Sequence, residues 1–210
     1  MSFDPKNIGV LGGSSVIGSA STRLVSRKYS NANLFSRNGE HSIDYRCEDS
    51  IAEAAGLAAK EKSLQDLSAE KFHNIFEVNT IISGLIVKRF LPKMNKEQPS
   101  ILAALSARVA SILGNHLGGW YAYHASKVAL NMIIRNTAIE VGRLNKQSII
   151  IGLHSGTVDR YLSKPFQENV ADGKLFTPKY SSKKMLEVLE NFSPKQTERS
   201  FAWDGKKVLQ

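Results

Sequence analysis

The run Asn7-Ile8-Gly9-Val10-Leu11-Gly12-Gly13-Ser14-Ser15-Val16-Ile17-Gly18 decides the fold. Asn7–Leu11 reads as a buried strand, a continuous apolar run stopped by two glycines. A helix is predicted over Ile17–Tyr29. Glycine at the junction lets the backbone turn sharply and lets a phosphate approach main-chain N–H groups at the positive end of the helix. A strand, a glycine turn and a helix in that order point to a nucleotide. A glycine turn without those flanks would carry little weight.

The elements on the C-terminal side alternate in the same way. Asn33–Ser36 and Ser42–Tyr45 read as short strands, and Ser50 with Glu53 makes a capping box at the head of a helix over Ser50–Ala59. Leu67–Leu91 is long and apolar-periodic, and it ends before Pro92. Strands at Ser100–Leu105, Ser148–Leu153 and Ser200–Trp203 alternate with helices at Tyr121–Gly142 and Ser181–Asn191. Strands separated by helices give a parallel sheet covered on both faces. The predicted fold class is therefore α/β: a Rossmann-like, doubly wound parallel sheet in one domain over residues 1–210.

Composition narrows the function. With 210 residues, 42% hydrophobic and 22% charged, the chain has enough material for one ordinary core. Disordered, collagen-like and disulfide-scaffold classes are excluded. The single cysteine, Cys47, fits a reducing cytosol. The sequence holds no apolar run of about 18 residues and no signal-like N-terminus, so the expectation is a cytoplasmic protein with no membrane partner. Its +9 charge is spread in pairs such as Lys183-Lys184 and Lys206-Lys207. That suits anionic small molecules better than nucleic acid, which is not expected as a partner. His41, His73, His116, His124 and His154 share no ligand spacing, and no metal is expected.

Chemistry enters at Tyr123-His124-Ala125-Ser126-Lys127. A spacing of four places the phenol and the ammonium on one helix face. The cation favours the phenolate, drawing the tyrosine down from its reference of about 10 and making it a proton donor for a carbonyl oxygen. Tyr180 and Lys184 have the same spacing, so spacing alone does not choose between them.

The surrounding residues do choose. The glycine turn, Val78-Asn79-Thr80, Leu105-Ser106-Ala107-Arg108-Val109-Ala110-Ser111-Ile112, Gly118-Gly119-Trp120-Tyr121-Ala122-Tyr123, Ser126-Lys127 and Leu153-His154-Ser155-Gly156-Thr157-Val158 form an ordered series over nearly the whole chain. Pro165-Phe166-Gln167 and Phe201-Ala202-Trp203-Asp204-Gly205 continue it. The series resembles the short-chain dehydrogenase/reductases, in particular their C-factor-like branch of carbonyl reductases.

The resemblance implies reduction of a ketone or aldehyde, a small-molecule carbonyl substrate, by hydride from a nicotinamide cofactor. Tyr123 would be the acid and Lys127 would depress its pKa and hold the nicotinamide ribose. Asn79 would hold a water beside Lys127, and a serine would bind the carbonyl. Ser106, at the carboxyl end of its strand, is the choice, with Ser111 a further candidate. Gly12, Ser14, Ser15, Ile17 and Gly18 would line the pyrophosphate, and Gly156, Thr157 and Val158 the nicotinamide. Arg37, where many relatives carry an acid, suits the 2′-phosphate of NADP (as NADPH) and disfavours NAD. Asp44 matches the position near the adenine.

Further implications are a homodimer or homotetramer built on the Leu67–Leu91 and Tyr121–Gly142 helices, and a substrate lid within residues 160–180. Trp120 and Trp203 would border the cleft. The sequence also departs from the pattern. Val16 stands for a glycine and Ser155 for a proline, and nothing near 56–62 can supply the central strand that the resemblance implies. Those departures keep a second expectation open: a nucleotide-binding signalling protein of the same fold with weakened catalysis.

Overall fold

The computed structural model describes residues 8–11, 16–29, 32–36, 41–42, 63–116 and 118–209. Strand β1 (Ile8–Leu11) leads to helix α1 (Val16–Lys28), and β2 (Ala32–Ser36) and β3 (His41–Ser42) follow. Helices α2 (Ala69–Phe76) and α3 (Ile82–Phe90) precede β4 (Ser100–Ser106) and the long α4 (Tyr121–Leu144). The chain closes with β5 (Ser148–His154), β6 (Thr157–Val158), β7 (Leu175–Phe176), α5 (Pro178–Glu190), β8 (Ser200–Ala202) and β9 (Lys207–Val208).

Three parallel strands, β1-β2-β3, form one sheet; β4, β5 and β8 form a second parallel run, to which β9 adds an antiparallel edge. The two lie together through α1. Ile17 packs with Ile149, Ile151 and Leu153 of β5 and with Met185 of α5. Ser21 Oγ donates to Ser182 Oγ at 3.1 Å, and Lys28 pairs with Glu190 at 2.6 Å. On the other face, Leu130, Ile134 and Ala138 of α4 cover Ile150, with Leu102 and Ala104 beside them. β5 is buried everywhere but at its last residue, as its isoleucine-rich run predicts for a strand covered on both sides.

β4 is different. It runs in register with β5 from Ser100↔Ser148 to Ser106↔His154, yet Ala103 is exposed and Leu105 is 44% exposed. Among the described residues no strand pairs with the far edge of β4 or with the free edge of β1. A central strand would lie between these two edges, and the segment around 56–62 lies outside the described residues. The Ser50–Ala59 helix and residues 43–45 of the predicted third strand fall there too.

One expectation changes. Leu67–Leu91 is not one regular helix: a π turn at Glu77–Ile81 separates α2 from α3. The extra residue of a π turn reorients the side chains it carries, and here those include Asn79 and Thr80. The stretch 160–180, expected as a substrate lid, carries regular structure of its own. Tyr161–Asn169 is a 3₁₀ stretch, β7 pairs in parallel with β6, and α5 begins at Pro178. Ile81 and Leu85 on one helical segment, and Met132 and Ile139 on α4, stand exposed on the two stretches that the homodimer expectation uses.

Candidate active site

The entry to α4 is built from left-handed backbone. Gly118, Gly119 and Trp120 have φ of 65°, 68° and 45°. Two glycines accept this freely, whereas a tryptophan there stores roughly 1–2 kcal/mol of strain, a common mark of a functional segment. Tyr123 and Lys127 follow one turn apart, with the Lys127 Nζ 5.8 Å from the Tyr123 ring centre.

The turn between them is clamped at both polar ends of Ser126. Ser126 Oγ donates to the Tyr123 carbonyl at 2.8 Å and accepts from Asn79 Nδ2 at 3.1 Å. Thr80 Oγ1 donates to the Ser126 carbonyl at 3.0 Å. Both donors come from the π turn, so the irregularity between α2 and α3 sets the position of the tyrosine. Ser126, fully buried, and Thr80 have this role without having been read from the sequence as site residues. The runs Val78-Asn79-Thr80 and Ser126-Lys127 are the sequence signals that contain them.

Lys127 is 9% exposed, and its Nζ donates to the Leu105 carbonyl at 3.0 Å. Burial first, and the Arg160 charge second, pull its pKa down to about 8. Tyr123 moves opposite to the sequence expectation. Burial holds its phenol above the usual tyrosine range, and the cation that opposes burial is Arg160 rather than Lys127. His154, at the end of β5, is drawn to about 4 by burial and by Arg108, with Asp204 opposing, so it is neutral at pH 7.

Ser106 is 8% exposed, and its hydroxyl donates to Asn131 Oδ1 at 2.7 Å, where Ser200 Oγ also donates at 3.3 Å. Its hydrogen is thus committed inside the core, two turns along α4 from Tyr123. Ser111 is buried beyond β4 and accepts from the Gly114 N–H at 2.9 Å, an arrangement that leaves its own O–H as a donor.

The nucleotide end is divided. Gly12, Ser14, Ser15, Arg37 and Asp44 lie outside the described residues. Ile17 is present in the first turn of α1, but its side chain is 2% exposed and belongs to the core, so only its backbone can face a phosphate. Gly18 is buried, and its carbonyl accepts from Thr22 Oγ1 at 2.8 Å. Val16, the residue standing for a glycine, is 49% exposed. No acid occupies the first turn of α1, which suits an anion there.

At the other end, Val158 is buried and Thr157 half-buried. Ser155 lacks a proline's rigidity, but Ser181 Oγ fixes its carbonyl at 2.7 Å. Gly156 has φ 75°, and a Cβ there would stand 2.6 Å from Phe176 Cε2 and 3.0 Å from Trp203 Cδ1. Phe176 and Trp203 are themselves packed edge to face at 4.6 Å. Gly156→Ala should therefore combine left-handed strain with overpacking, about 2–4 kcal/mol together. A thermal midpoint lowered by about 5–10 °C is expected; an unchanged midpoint would show that the aromatic pair yields freely.

An α/β fold in which β1 precedes α1 in a parallel sheet, with a tyrosine and lysine held on one helix face, is an oxidoreductase architecture of the Rossmann type. A family model described as enoyl-(acyl carrier protein) reductase matches residues 26–153. The chain belongs to the short-chain dehydrogenase/reductase family.

Among curated relatives, the C-signal of Myxococcus xanthus is 26% identical over 160 residues, 76% of this chain and 91% of that protein. The 1-hydroxy-2-glutathionyl-2-methyl-3-butene dehydrogenase of Rhodococcus sp. (strain AD45) is 25% identical over 158 residues, 75% of this chain and 66% of that one. Solved structures share the fold. The NADPH-bound carbonyl reductase from chicken fatty liver superposes with a TM-score of 0.78 at 20% identity, covering 99% of this chain and all 100% of that one. The carbonyl reductase Sniffer of D. melanogaster gives 0.75 at 17% identity with the same coverage. Among the described residues no helix is long and apolar enough to cross a membrane.

Proposed function

We propose that this protein reduces a ketone or aldehyde to an alcohol with NADPH. The observation that carries the reading is the Tyr123–Lys127 pair held over the strand ends by the Asn79 and Thr80 clamp on Ser126. The donor set fits a nicotinamide nucleotide: an ammonium and a phenol stand together on one helix face, and an acid-free helix start stands at the head of α1. A nicotinamide bound there would supply the hydride.

The chain's own residues do the rest. Tyr123 Oη gives its proton to the carbonyl oxygen, and the high pKa that burial imposes keeps that proton in place until the oxygen becomes basic. The Ser111 hydroxyl donates to the same oxygen, a role that Ser106 leaves open because its hydrogen is held by Asn131. Lys127 keeps two hydrogens beyond the one given to Leu105 and offers them to the ribose hydroxyls. Asn79 acts through Ser126 on the helix turn. Arg37 supports NADP over NAD, since a guanidinium fork suits a 2′-phosphate. The likeness to chicken and Pseudomonas aeruginosa carbonyl reductases solved with NADPH and NADP supports the same choice.

The direct test is NADPH oxidation against a panel of aromatic ketones and aldehydes. Carbonyl-dependent oxidation is expected, slower with NADH by about tenfold, as for the loss of one charged phosphate contact. A second reading is supported by the C-signal likeness: a nucleotide-binding signalling protein of the same fold with weakened catalysis. Nucleotide binding with no oxidation of NADPH or NADH by any carbonyl would overturn the enzyme and leave that reading.

A further inference from the structure

Ser181 and Ser182 are neighbours on α5, and a helix turns by about 100° per residue, so their side chains leave it in different directions. Neither reaches water: Ser181 is 0% exposed and Ser182 2%. The Ser181 hydroxyl donates to the Ser155 carbonyl at 2.7 Å, one residue before the left-handed Gly156. The Ser182 hydroxyl donates to the Ile17 carbonyl at 3.3 Å, in the first turn of α1, and accepts from Ser21 Oγ at 3.1 Å. Each hydroxyl hydrogen has its acceptor, and Ser182 uses a lone pair as well.

The two carbonyls belong to the two ends of the nucleotide site: the head of α1 and the turn between β5 and β6. Helix α5 is joined firmly to both. On the side of the turn, β7 pairs with β6, the Asp159 N–H donates to the Phe176 carbonyl at 2.8 Å, and Thr177 Oγ1 caps α5 by accepting from the Tyr180 N–H. On the side of α1, Met185 packs with Ile17, and Lys28 pairs with Glu190 at 2.6 Å at the C-terminal ends of the two helices. Packing alone does not call for these serines, since alanine is the better helix former and needs no partner when buried. Ser155, moreover, has no ring to fix its φ as a proline would, and the Ser181 hydroxyl holds the next peptide unit instead.

We propose that Ser181 and Ser182 are positioning residues that set the span of the dinucleotide site, fixing the first turn of α1 at the pyrophosphate end against the Gly156 turn at the nicotinamide end. The inference rests on the nicotinamide-nucleotide reading and does not depend on the carbonyl substrate. A dinucleotide engages both ends through one covalent link, so its affinity depends on whether both can be met at once, whereas half of it senses only its own end. Loosening the span therefore weakens the whole nucleotide and spares the half. The two hydroxyls act in series along one connection, so cutting either releases it and cutting both costs little more.

The test is a set of Kd values from titration calorimetry for NADPH and for its adenosine half, adenosine 2′,5′-bisphosphate, in wild type, Ser181→Ala, Ser182→Ala and the double variant. Each single variant is expected to raise the NADPH Kd about tenfold, the scale of one buried hydrogen bond, and to leave the bisphosphate Kd within about twofold. The double variant is expected within about threefold of the weaker single one, where independent contacts would multiply to about 100-fold. Ser181→Cys, with a similar volume and a weak S–H donor, should reduce the loss to about threefold. Unchanged NADPH affinity, equal losses for both ligands, or a multiplicative double variant overturns the proposal. Where circular dichroism shows an alanine variant unfolded, Ser181→Cys and Ser182→Cys are compared instead, and a loss of about threefold for NADPH but not for the bisphosphate is the expected result. If wild type binds NADH alone, the same ratios are read with NADH and adenosine 5′-monophosphate. If it binds neither dinucleotide, the nucleotide reading has failed and the inference falls with it.

Discussion

Tyr123→Phe is expected to lower kcat for carbonyl reduction by about 1,000-fold, within the range that a positioned general acid contributes, while the Kd for NADPH changes less than about threefold. The separation follows from what the substitution removes. The ring is retained, and with it the packing against the cluster of Ile75, Ala122, Phe72 and Val78. The carbonyl of residue 123 still accepts from Ser126, so the clamp on the helix turn is intact. Only the proton donor is lost. Circular dichroism and the thermal midpoint should match wild type, which removes misfolding as an explanation. Turnover within about threefold of wild type would place the proton donor elsewhere and sink the mechanism, since the other tyrosine with this spacing, Tyr180, stacks in the Phe176–Trp203 cluster.

Much of this is legible in the amino-acid sequence. The positions of the central strands along the chain follow from runs such as Ile149-Ile150-Ile151, whose burial on both faces is implied by their having no polar alternation. The Tyr–Lys pair was legible because helical periodicity is strict over four residues. What escaped was whatever depends on contacts distant in sequence. A π turn leaves no periodic trace, so the link from Asn79 to Ser126 could not be read. Ser106 and Ser111 have the same chemistry; only the position of Asn131, 25 residues further along, separates them. Arg160, whose charge opposes the rise in the Tyr123 pKa, stands two residues beyond the Gly156-Thr157-Val158 run and 37 residues from the tyrosine, where spacing gives no sign of it. The direction of the tyrosine shift failed for a related reason: spacing shows that a cation is near, but only burial shows how much desolvation it must offset.

Lys127→Met should abolish turnover and yet make the protein more stable. Lys127 has an unfolded pKa of 10.5 and a folded pKa of about 8, both favouring the protonated form at pH 7. The unfolded chain holds that proton more tightly, so the group opposes folding by about 3 kcal/mol wherever both states are protonated. Between pH 8 and 10.5 the unfolded state binds more protons than the folded one, so this contribution to stability rises with pH across that window and is fully unfavourable below it. Arg160 deepens the effect, and Tyr123, held above its ordinary value, does not cancel it until the upper end of the window. Methionine keeps an unbranched apolar stem and drops the charge. The Leu105 carbonyl loses one donor, which subtracts about 1 kcal/mol from the gain. The expected result at pH 7 is a variant about 1–3 kcal/mol more stable in urea unfolding, with an advantage that shrinks steadily as pH approaches 10.5. A variant less stable than wild type at pH 7, or a difference that does not change with pH, would show that the buried ammonium is already compensated within the fold. The expected outcome carries a functional meaning: a site that keeps a charge at a cost to folding is held for a ligand that uses it.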